Sequence, residues 1–78
     1  MSGYTHKQGQ YLAFIYYYTK INRRPPAEAD IQRYFCVTPP TVHQMILRLE
    51  EKGLIKRIPG QARSIEVLLP LVQLPPLE

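Results

Sequence analysis

Residues 38–48 read T-P-P-T-V-H-Q-M-I-L-R, and they combine hydroxyl, imidazole, amide and guanidinium groups in a short run. Such groups can meet base edges. A glutamine such as Gln44 pairs bidentately with adenine, and a threonine such as Thr41 meets the thymine methyl. Thr38, Pro40, His43 and Arg48 share the stretch, and no acid interrupts it before Glu50 and Glu51. Farther on, Lys56, Arg57 and Arg63 supply cations of the kind that meet phosphates, with Gln61 between them. His43 or Gln44 alone reads more readily as a solvated helix face, so the surrounding elements have to decide.

Other chemistries find less support. No nucleophile–base pair, paired carboxylates or phosphate-binding glycine loop stands out, so an enzyme is not expected. Cys36 is alone, which excludes a disulfide framework and a cysteine-rich metal site, and it reads as a small buried hydrophobe. His6 and His43 are too far apart and too few for a metal site, and no cofactor is implied. Arg23, Arg24 and Arg33 read as general surface charges.

At 78 residues, 45% hydrophobic and 21% charged, the chain is expected to fold as one domain with a modest core. Its net charge of +4 leans toward an anionic partner. No apolar stretch approaches the ~18 residues of a membrane span, and the N-terminus lacks a signal-peptide pattern. A cytoplasmic, reduced setting is the expectation.

Residues 5–22 read as a first helix opened by a capping box, Thr5 with Gln8. At about 100° per residue Tyr11, Leu12, Phe14, Ile15, Tyr18 and Ile21 share the core arc. Ala13, Tyr16, Tyr17 and Lys20 point the other way. After the turn at 23–26, a short helix over 27–35 places Ile31 and Phe35 inward and Glu28 and Asp30 in its first turn, where the helix dipole favours acids.

Pro39 and Pro40 begin the next helix. Inside a helix a proline costs ~3 kcal/mol, but in the first turn the missing N–H has no partner to lose. Thr38 is then the N-cap, the helix runs to about Lys52, and Gly53 stops it. Val42, Met45, Ile46 and Leu49 face the core. Residues 54–58 and 64–69 read as two strands around a turn at 59–63. The Pro/Leu-rich tail over 70–78 is expected to be extended.

Three helices, mainly α with a small β-hairpin, form a winged helix-turn-helix over residues 1–69. In that arrangement the third helix, 38–52, enters the DNA major groove and the wing, 55–69, lies over the adjacent backbone or minor groove.

The string from Pro25 to Leu69 resembles the DNA-binding domain of LexA-type repressors, in its Pro-Pro pair before helix two, its Thr-Pro at helix three, Lys52-Gly53-Leu54-Ile55 and Arg63-Ser64-Ile65. Thr5 and Gln8 extend the resemblance over residues 4–69. It implies contacts from Thr38, Pro40, Thr41, His43 and Gln44 in the major groove, with Gln61 and Arg63 on the wing. Two departures matter. Ala27 replaces a threonine cap, at a cost of ~1 kcal/mol. Cys36 replaces a turn glycine and is strained if φ must be positive. No self-cleavage Ser/Lys pair is present.

The expected function is therefore sequence-specific binding of double-stranded DNA in transcription regulation. A single wing module reads a short half-site, so a homodimer on a palindrome is the expected route to specificity. Tyr16 and Tyr17 with Leu71, Val72 and Leu74 of the tail are its candidate interface. The alternative is a winged-helix module that binds protein and not DNA.

Overall fold

Thr5 and Gln8 close the reciprocal box that the sequence predicts. The Gln8 amide donates to Thr5 Oγ1 at 3.2 Å, and the Thr5 amide donates to Gln8 Oε1 at 3.0 Å. They open α1 (His6–Asn22), which is followed by α2 (Glu28–Phe35), α3 (Pro39–Glu51), β1 (Ile55–Lys56), β2 (Glu66–Val67) and one 3-10 turn (Leu71–Gln73). The computed structural model describes residues 3–78.

The core gathers the first half of α1, one side of α2 and of α3, and the root of the hairpin. Tyr11, Leu12 and Ile15 meet Ile31 of α2, Val42, Ile46 and Leu49 of α3, and Leu54, Ile55 and Ile65 of the wing. Tyr11 stacks on Phe35 with ring centroids 4.3 Å apart, which fixes α2 against α1. Met45 is half-buried against the same cluster.

Helix α3 ends as its sequence dictates. Gly53 takes φ 74°, where a side chain would be strained. The Leu54 amide then reaches Leu49 O and the Gly53 amide reaches Glu50 O, each at 3.0 Å, a Schellman closure of the orphan carbonyls. Cys36 does adopt the left-handed conformation, φ 56°, as does Arg23 at the end of α1, φ 58°. The expectation of a buried Cys36 is corrected: the residue is exposed, because the left-handed cap turns it away from the core, with Sγ 3.7 Å from Arg33 O.

Two further expectations change. Ile21 is 77% exposed, whereas Ala13 is fully buried, so the core arc of α1 is not one stripe. Burial is instead continuous from Gln8 to Ile15, and the last turns of α1 run past the core. The tail explains part of this. It is not simply extended: after its 3-10 turn it folds back along the start of α1. Gln10 Nε2 donates to Pro76 O at 2.9 Å, Tyr4 Oη donates to Gln73 O, and Tyr34 Oη donates to Glu78 O at 2.7 Å. Gly9 permits this approach, since a Cβ there would lie 2.7 Å from the Tyr4 ring and 3.0 Å from Pro75. Leu74 and Leu77 pack against the core.

The wing is shorter than predicted. Only Ile55–Val67 and Lys56–Glu66 pair, in antiparallel register. Beyond them Ser64 Oγ takes the place of a strand, accepting from the Ile58 amide at 2.9 Å, while Pro59 has no amide to offer.

Candidate nucleic-acid interface

The entry to α3 is rigid. Thr38 is extended at φ −80°, ψ 155°, and Pro39 and Pro40 occupy the first two helical positions. Thr38 sits at the N-cap position but does not cap with its side chain. Pro40 removes one of the two amides, at N2 and N3, that such a hydroxyl would accept from, and Thr38 Oγ1 pairs instead with Thr41 Oγ1 at 2.8 Å. The far end of α3 is tied to α1 through Lys52 Nζ, which donates to Gln8 Oε1 at 2.9 Å.

With Val42, Ile46 and Leu49 buried, Pro40, Thr41, His43, Gln44, Leu47 and Arg48 are left on the exposed face. This is a contiguous surface of polar side chains around an apolar centre, Leu47. One feature of it is not predicted from the α3 sequence. Glu28, the first residue of α2, places its carboxylate 3.2 Å from His43 Nδ1. Glu28 reads in the sequence as a partner of its own helix dipole, and only the packing of α2 on α3 brings it to His43.

The wing divides its cations. Lys56 is exposed and pairs across the strands with Glu66 at 3.4 Å. Arg57 turns toward α3, where its Nε meets Glu50 Oε1 at 3.2 Å. Gln61 is exposed at the tip, beside Gly60 at φ 81°. A groove between the wing and the start of α2 is lined by Glu28, Ala29, Arg57, Gly60 and Gln61.

Arg63 stands apart from the expectation of a free wing cation. Its Nη1 donates to Asp30 Oδ2 at 3.0 Å, to Pro25 O at 3.2 Å and to Tyr18 Oη at 3.3 Å. One guanidinium thereby ties the wing to α1, to the turn after it, and to α2. All three bonds leave the one nitrogen Nη1, whose two N–H groups are shared among the three acceptors. Asp30 has a second task. Ala27 has no side chain to cap α2, but the Asp30 carboxylate accepts from the Ala27 amide at 2.9 Å, the backward half of a capping box. That amide, with Arg63 and the Tyr18 hydroxyl, holds the Asp30 carboxyl below its ordinary range, against the opposing effect of burial. Arg63 in turn is held more firmly protonated, first by Tyr18 and then by Asp30.

The candidate association residues differ in exposure. Tyr16 and Tyr17 are half-buried and meet edge to face, with centroids 5.2 Å apart. Leu71 and Val72 are exposed, whereas Leu74 is packed against the core. Among the described residues no group of three or more His, Cys, Asp or Glu side chains could hold a metal ion, and no helix is long and apolar enough to cross a membrane.

A family model described as the LexA DNA binding domain matches residues 1–64. Among curated relatives, the LexA repressor of Thermosipho melanesiensis is 38% identical over 68 residues, which covers 87% of this chain and 34% of that protein. The LexA repressor of Thermosipho africanus matches with the same identity and coverage. The chain spans about a third of the length of these relatives.

Proposed function

The chain belongs to the LexA DNA-binding domain family, and on that premise we propose that it regulates transcription by sequence-specific binding to double-stranded DNA, in the cytoplasm. Helix α3 enters the major groove, and Thr38, Pro40, Thr41, His43, Gln44 and Arg48 form its contact face. Lys56 and Gln61 of the wing meet the adjacent backbone or minor groove. Arg63 serves this surface by fixing the wing and is not itself a base reader.

The observation that carries the reading is the exposed face of α3. It is polar, contiguous and free of acids of its own through Arg48, and it is presented by a helix whose start is locked by two prolines. Selection from a random duplex library tests it. A defined enriched sequence supports the reading, and recovery of unenriched duplexes refutes it.

A symmetric dimer on a palindromic site is part of the proposal, with Tyr16, Tyr17, Leu71 and Val72 as its surface. Leu74 is left out because it is packed against the core. Sedimentation at high micromolar concentration should show a dimer, and a monomer there would remove this element.

A further inference from the structure

His43 Nδ1 lies 3.2 Å from Glu28 Oε2 and 3.3 Å from Oε1. An ionised carboxylate only accepts hydrogen bonds, so the ring nitrogen facing it must carry a proton. A neutral imidazole has one N–H. With that proton on Nδ1, Nε2 keeps its lone pair and is an acceptor. The His43 side chain is 52% exposed and stands on the outer face of α3 beside Gln44.

The major groove presents few donors. They are the exocyclic amino groups, N6 of adenine and N4 of cytosine, whereas guanine N7 and O6 and thymine O4 are acceptors. An Nε2 acceptor can pair with the first pair of bases and is left unsatisfied against the second. Leaving a desolvated polar atom unpaired is costly, which is what gives such a contact its discrimination.

We propose that Glu28 is a specificity-positioning residue: by holding the His43 proton on Nδ1 it makes His43 select an adenine or cytosine amino group. The proposal rests on the reading of α3 as the helix in the groove. It also accounts for an acid at this surface. A carboxylate near phosphates works against affinity, so Glu28 lowers binding strength while sharpening base choice.

Two measurements on the full chain test this. Long-range ¹H–¹⁵N NMR at about pH 8, above the ordinary imidazole range, reads the tautomer in the free protein. Wild type should show a protonated Nδ1 and a bare Nε2, and Glu28→Ala should release the proton toward Nε2. A protonated Nε2 in wild type overturns the proposal. Site selection is then run for wild type, Glu28→Ala, Glu28→Gln and His43→Ala, each checked for a folded melting transition. Wild type should demand adenine or cytosine at one position, and His43→Ala should lose that demand. Glu28→Ala should accept guanine there about tenfold more readily, the scale of one base contact. Glu28→Gln should keep the wild-type preference, because its carbonyl oxygen still accepts from Nδ1. A wild-type motif that Glu28→Ala or His43→Ala leaves unchanged overturns the proposal and leaves DNA reading intact. A wild type that enriches no sequence overturns DNA reading itself.

Discussion

Arg63 of the wing and Asp30 of α2 are 33 positions apart in the chain, yet their side chains meet at 3.0 Å. The same carboxylate closes the start of α2 through the Ala27 amide. The angle of the wing and the integrity of the helix that packs on α3 are thus set by one shared group.

Removing either partner should therefore act through the fold. Asp30→Ala takes away a helix-closing acceptor and an ion-pair partner, at a cost of about 2 kcal/mol. Arg63→Ala should also lower the urea midpoint and weaken binding to every duplex alike. Arg63→Lys should not restore it, since the lysine stem is one bond shorter and its ammonium falls short of the Nη1 position that the three acceptors surround. Urea melts alongside duplex binding check this. Unchanged stability in Arg63→Ala, with only a shallower salt dependence, would mark Arg63 as a plain phosphate contact.

Acid should expose the same group. The Asp30 carboxyl ionises more readily in the folded chain than at its ordinary value of 3.8. Its stabilisation is therefore complete above that value and drains away as pH falls through the lower folded one. Denaturant melts between about pH 5 and pH 2 should show an acid-sensitive limb that Asp30→Asn makes flatter. Equal slopes in both proteins would contradict this.

The tail should behave as part of the domain. Gln10 is 6% exposed and donates to Pro76 O, so Gln10→Ala should cost about 1–2 kcal/mol and loosen the tail. Amide hydrogen exchange should rise at Gln73 and Leu74 and stay constant within α3. A tail that already exchanges freely in wild type would contradict the packing described above.

Cys36 offers a change in the opposite direction. A non-glycine residue in the left-handed region costs about 1–2 kcal/mol, of which glycine's greater unfolded-state freedom returns a part. Cys36→Gly should therefore raise stability by about 0.5–1 kcal/mol with DNA binding unchanged. Thermal denaturation checks it.

Features with a local cause were legible in the sequence. The Thr5–Gln8 box, the proline start of α3 and the Gly53 stop each depend on residues within a few positions of one another. Cys36 was legible as a strained cap but not as an exposed one, because exposure depends on what packs nearby. Ile21 has helical spacing with the core arc, and only the length of the partners shows that α1 outruns them. Arg63 and Glu28 are the plainest failures of local reading. Each bears a charge whose ordinary place is solvent or a helix dipole, and each is claimed by a residue on another element. The exposed face of α3 follows from its periodicity, whereas the tautomer of His43 follows only from the α2–α3 packing.

The most direct test of DNA reading by α3 is fluorescence anisotropy with a selected duplex, across a salt series, for wild type and Gln44→Ala. Wild-type affinity should fall steeply and linearly on a log–log plot as phosphate counterions are released. Gln44→Ala should keep that slope and lose about 1–3 kcal/mol against the selected site, with unselected duplexes bound as before. Salt-insensitive binding, or an equal loss on every duplex, would contradict a base-reading role for this helix.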